Sequence, residues 1–248
     1  KEDDLDLFLV PTGVLLMCVY HFYLLYRYNN KECVSTSIGY ENDNKKAWVN
    51  ELVKIKDAKD RAFAVSVISS QISALTSLTS ISLVLCSLIG AILGKSTDSL
   101  ITSRFIFEDT SESTNSIKYV AILFCFILAF ACFVQTTRHL IHANFLISMP
   151  TLPTNEPTKN RNRKATYNPT KMPIKKRADH RECIQKAVLR GSNFWTAGLR
   201  ALYLATTLIL WIFGPIPMFV GSVATVMILY FLDIHNGEYL PFGESEKL

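Results

Sequence analysis

The chain has 248 residues, of which 49% are hydrophobic, and a formal net charge of +5. Its mean hydropathy of +0.21 comes from apolar residues gathered in long runs, whereas a soluble core takes them from short periodic segments; an ordinary soluble domain and a disordered polar chain are both excluded. The excess positive charge lies in loops between the runs, so lipid headgroups rather than nucleic acid are the expected anionic partners.

The first run, 5–26, has about the ~20 residues that a helix needs to cross ~30 Å of hydrocarbon. Acidic Glu2, Asp3 and Asp4 precede it, Asp6 lies at its start and no small-residue cleavage site follows, so it reads as a retained anchor and not a signal peptide. It ends in Tyr20, His21, Phe22, Tyr23, Tyr26 and Tyr28 beside Arg27 and Lys31, the rings and cations of a membrane–water interface. The loop 27–61 carries eight Lys/Arg. Within it Trp48, Leu52 and Ile55 recur at helical spacing among Lys45, Lys46, Lys54, Lys56 and Lys59. That pattern suits a basic amphipathic helix on a lipid surface, and equally a loop helix packed on its neighbours.

The second run, 62–93, carries Ser66, Ser69, Ser70, Ser73, Ser77, Ser80 and Ser87 along one side. Such a stripe lets helix backbones approach closely in lipid; the alternative is a pore lining. A polar segment with three Lys/Arg follows, from Gly94 to Lys118. The third run, 117–148, turns polar in its second half, where Gln135, Arg138, His139 and His142 share one helical face. Loop 150–193 is Pro-, Asn- and Lys-rich through Arg177 and carries eleven Lys/Arg. By the positive-inside rule the two heavily basic loops, 27–61 and 150–193, are cytosolic, and the N-terminus is non-cytoplasmic.

The final apolar stretch would be ~58 Å long as a single helix, about twice the hydrocarbon thickness. Gly214, Pro215 and Pro217 interrupt it, because two prolines remove two backbone donors and clash with the preceding turn. The reading is a hairpin joining segments 194–213 and 216–232, with one kinked helix as the alternative. The fold class is therefore all-α: a polytopic bundle of five hydrophobic segments in one membrane domain, with the plasma membrane as the expected address.

Several short stretches resemble the domain-of-unknown-function 599 family of integral membrane proteins: Asp6-Leu-Phe-Leu-Val-Pro-Thr-Gly13 with His21 and Leu24-Leu-Tyr-Arg27, Ile38-Gly39 with Trp48-Val49, and Arg138 with His142. Arg190-Gly-Ser-Asn-Phe-Trp195, Gly198-Leu-Arg200, Trp211-Ile-Phe-Gly-Pro-Ile-Pro217 and Tyr230-Phe-Leu-Asp233 extend the likeness over nearly the whole chain. The resemblance implies a polytopic membrane fold and a plant source, and carries no activity with it. Where the family often has an Arg-Asn pair, this chain has Ser69-Ser70.

Ionisable residues inside membrane segments are costly and are functional candidates by default. Here they are His21, Arg138, His139, His142 and Arg200, with Gln71 as a polar companion, all toward the cytosolic ends of their segments and with no acidic residue well inside any segment. One reading makes them a single polar layer, an anion-attracting vestibule in a channel or carrier assembled from several copies. In the plainer one the arginines snorkel to lipid phosphates and the histidines hydrogen-bond between helices. The second functional candidate is an interaction or organising protein that binds anionic lipid through its basic loops. Gly-x-Ser-x-Gly, phosphate-cradling and His-Glu-x-x-His motifs are missing, so a non-enzyme without cofactor is expected; a lipid-modifying enzyme with His139 or His142 as base is the outlying option. The spacing of the cysteines and histidines supports neither a metal site nor a disulfide framework.

Overall fold

The structure, a computed structural model, describes residues 2–29, 37–55, 57–103, 110–149 and 174–233. Lys56 and the proline-rich stretch 150–173 lie outside them. The described residues form six α-helices and no strand: α1 (Glu2–Asn29), α2 (Ser37–Lys54), α3 (Ala58–Ser103), α4 (Thr110–Ser148), α5 (Ile174–Leu210) and α6 (Pro215–Asp233), with a 3-10 turn at Trp211–Phe213 before α6.

Five of these helices are long and apolar enough to cross a membrane: Phe8–Arg27, Lys59–Gly94, Ser116–Ser148, Ala178–Phe213 and Pro215–Asp233. The first and last, of 20 and 19 residues, match ~30 Å of hydrocarbon at 1.5 Å per residue. The other three, of 36, 33 and 36 residues, do not. Even a 40° tilt lengthens the path only to ~39 Å, or ~26 residues, so α3, α4 and α5 overhang the bilayer.

The overhang forms a second layer at the basic end. There α2 lies against α5, burying Val49 and Leu52 in one cluster with Ala64 and Ile68 of α3, Leu140 and Ile147 of α4, and Ile184 and Val188 of α5. Asn42 donates to Asn193, and Gln185 donates to Asn50. Arg61 caps two helix ends at once, donating to the carbonyls of Met149 and Ile55, the kind of terminal carbonyl that has no partner within its own helix. Residues 174–193, expected as loop, are the first half of α5. Their positions Ile184, Val188 and Gly191 follow a helical spacing that continues to Trp195, and α2 and α4 cover that face.

Within the membrane layer α4 is the central helix, packed along both α3 and α5 and holding them apart, while α1 docks on α6. Close approach of α4 and α5 depends on Gly198: a Cβ there would sit 2.6 Å from Cε1 of Phe133. The break at Gly214 is a hairpin and not a kink. Arg200 and Asp233 touch, although 33 residues of helix would separate them by ~50 Å. Gly214 adopts φ 127°, a region open essentially to glycine alone. The turn lies level with the start of the apolar span of α4, where the ammonium of Lys118 sits 5.3 Å from the ring centroid of Trp211.

Candidate functional site

One reading of the sequence gathers the intramembrane cations in a single layer; in the structure they fall into two groups, one of which meets an acid at the end of α6.

Asp233, the last residue of α6, is buried and accepts from Arg200 Nη2 at 3.0 Å and 2.9 Å through its two carboxylate oxygens. The hydroxyl of Tyr20 donates to the same carboxylate at 2.7 Å. Arg200 and Asp233 side chains keep only 15% and 11% of their exposure, so the pair is largely withdrawn from solvent. It joins α1, α5 and α6 through three polar groups. Next to Tyr20, the Nδ1 of His21 lies 2.7 Å from the Met17 carbonyl. A carbonyl can only accept, so Nδ1 carries the proton and Nε2 is the free nitrogen of the neutral ring. Arg200 is therefore no uncompensated cation. It is the central member of a buried lock, and Asp233, which reads in sequence as the start of a polar tail, is its counter-charge.

Arg138, His139 and His142 form a separate group on the α4–α5 face. His139 stacks on Phe194, with ring centroids 5.7 Å apart and planes at 14°. The charges that reach it are those of Arg190, Arg138 and His142, with no acid among them. Arg138, His142 and Arg190 are exposed and make no ion pair or hydrogen bond among the described residues. Two residue counts, each for a span normal to the bilayer, place them near its edge. About 20 residues from Ser116 along α4 reach Thr136, and about 20 back from Phe213 along α5 reach Phe194. Arg138 and Arg190 lie just beyond those points, at the level of lipid headgroups. Around them Val134, Ile141, Phe145 and Phe194 expose apolar surface. The result is a ridge of cations set among rings and aliphatic side chains.

The lysines of α2 are occupied otherwise. Lys46 pairs with Asp43 and Lys54 with Glu51, each within its own helix. Lys45 is turned inward, pairing with Glu41 and donating to the Ser192 hydroxyl of α5. Trp48 stays 37% exposed, and Lys56 lies outside the described residues. Gln71 projects from α3 at the rim of a cavity under α2. The serine stripe of α3 faces outward and lines no lumen within the chain: the hydroxyls of Ser73, Ser77, Ser80 and Ser87 return to carbonyls four residues back, and Ser69 accepts from Asn144. Gly214, Pro215 and Pro217 form the hairpin turn and the start of α6.

Residues 8–237 match a family described as "Protein of unknown function, DUF599". The chain belongs to that family. Nearly every feature above, from α1 to the lock at Asp233, falls within the matched region, so the DUF599 pattern spans the membrane layer and its overhang together. No curated protein and no solved structure matches the chain.

Proposed function

We propose that this DUF599 protein is a non-enzymatic membrane-organising protein that binds anionic lipid at its basic end, through Arg138, Arg190 and His142. The supporting observation is the cation ridge on α4 and α5, which has no ion-pair partner among the described residues, falls near headgroup depth by residue count, and is flanked by exposed apolar side chains. A phosphate there gains charge-assisted hydrogen bonds from guanidinium groups that have no protein partner among the described residues to give up. This moves the lipid contact from the α2 lysines, each of which has an acidic partner, to exposed positions on α4 and α5.

The competing reading, an oligomeric channel or carrier for an anionic solute, has less behind it. Arg200 is neutralised by Asp233, Arg138 points away from the bundle interior, and the buried positions between the helices are filled largely by apolar side chains. We read the exposed serine face of α3, the least enclosed of the five spans, as the contact between copies in a homo-oligomer, since small hydroxylated residues allow close helix approach in lipid.

The test uses purified protein in nanodiscs of mixed phosphatidylcholine and phosphatidylserine, with retained lipids counted by native mass spectrometry. Phosphatidylserine is expected to be retained preferentially. At ~1 kcal/mol per surface cation, each of Arg138→Gln and Arg190→Gln reduces that preference about fivefold, whereas Lys46→Gln with Lys54→Gln leaves it unchanged. Equal retention of both lipids, or a preference indifferent to both arginines, refutes the assignment. Anion flux in liposomes that is abolished by Arg138→Gln without loss of folding would establish the channel instead.

A further inference from the structure

Beneath α2, the membrane layer and the overhang leave a cavity of about 170 Å³. It exists because α4 keeps α3 and α5 apart, and because the walls at that level carry small residues, Ala74 on α3 with Gly191 and Ser192 on α5. Its floor is Thr136 and Leu140 of α4. Twenty residues of α3 counted back from Gly94 end at Ala74, so the cavity lies at the same headgroup depth as the arginine ridge, on a different face of α4 and α5.

The chemistry of the lining is divided. One side is apolar, with Leu75 and Trp195. The other holds Glu41, Lys45, Ser192 and Gln71. The two charges on that rim already cancel: the Lys45 ammonium pairs with Glu41 and donates to Ser192 at 2.6 Å. An anionic guest would have to displace Glu41, and a cationic one Lys45. Gln71, by contrast, makes no hydrogen bond among the described residues, which leaves its amide free to donate to or accept from a neutral polar group. In size, an apolar cavity of ~150 Å³ takes one benzene ring.

From these observations we propose that the cavity binds one small uncharged amphiphile, a ring-sized apolar body carrying a single hydroxyl or amide head, with that head on Gln71 and Ser192. Such molecules partition to the headgroup region of a bilayer, which is where the cavity lies. The site is independent of the arginine ridge, and the two proposals fail separately.

Trp195 supplies the readout. Full-length protein carrying Trp48→Phe and Trp211→Phe, in nanodiscs, is titrated with benzyl alcohol, toluene, benzoate and benzylamine while Trp195 emission is followed, with empty nanodiscs subtracted. Benzyl alcohol is expected to give saturable one-site binding, more than about tenfold tighter than either charged probe, because neither charge finds an unoccupied partner. Ala74→Leu fills the cavity and abolishes the response. Gln71→Leu, at an exposed helical position that does not threaten the fold, weakens benzyl alcohol about two- to tenfold and leaves toluene unchanged. Non-saturable partitioning of all four probes, charged probes binding as tightly as the alcohol, or a benzyl alcohol affinity indifferent to Gln71→Leu would each overturn the proposal.

Discussion

Replacing Asp233 by Asn isolates the buried lock. The amide keeps the shape of the side chain and an oxygen that still accepts from Tyr20, but it removes the only counter-charge that Arg200 touches among the described residues. Arg200 has no easy escape: its side chain is 15% exposed, and its Nη1 is already buried without a hydrogen-bond partner. Breaking a buried pair from one side costs about 3–5 kcal/mol, because the remaining charge is left desolvated and unpaired. For a chain of this size each kcal/mol lowers the unfolding midpoint by roughly 2–4 °C, so a loss of ~6–20 °C is expected in a thermal scan of the detergent-solubilised protein. The control removes both charges: Arg200→Met combined with Asp233→Asn leaves no buried charge unpaired and is expected to recover much of the loss. Tyr20→Phe deletes one hydrogen bond to a charged acceptor and should cost about 1.5–3 kcal/mol. An Asp233→Asn midpoint within ~3 °C of the parent, or a double variant no more stable than that single one, would refute the coupling.

Three other outcomes follow from the packing and the topology. Gly198→Ala should destabilise the α4–α5 contact by about 1–3 kcal/mol, since the new methyl lies 2.6 Å from the fully buried Phe133; Phe133→Leu in the same chain should restore part of the loss in chemical or thermal unfolding. Gly214→Ala forces a side chain onto φ 127° and should cost about 1–3 kcal/mol, while leaving the lipid preference of the arginine ridge intact. With every other cysteine replaced, the exposed Cys183 of α5 should react with a membrane-impermeant maleimide in inverted vesicles and not in intact cells; the reverse pattern would overturn the orientation drawn from the positive-inside rule.

The five spans and the break at Gly214 are legible in the chain because they depend on local quantities: run length, apolar content, and the backbone demands of proline. The lock is not. Asp233 looks like the first residue of a polar tail, and its partners lie 33 and 213 residues away, a separation that no periodicity records. A signal was nevertheless present, in that a lone acid closing an apolar helix is the natural partner for an arginine inside another. The helical first half of α5 had its own trace in the spacing of Ile184, Val188, Gly191 and Trp195, masked by the basic residues between them. Arg190 consequently reads as a loop residue. The α2 lysines show the converse limit: composition counts cations, and only the fold shows that Glu41, Asp43 and Glu51 already neutralise them.

The pairing of α1 with α6 has a consequence for biogenesis. Of the five spans the earliest in the chain docks on the latest, so α1 is made well before its main neighbour, and Arg200 before its counter-ion. The bundle closes in a single late event, when Asp233 reaches Tyr20 and Arg200 together. A chain truncated before α6 would leave Arg200 without its counter-charge and α1 without its main neighbour.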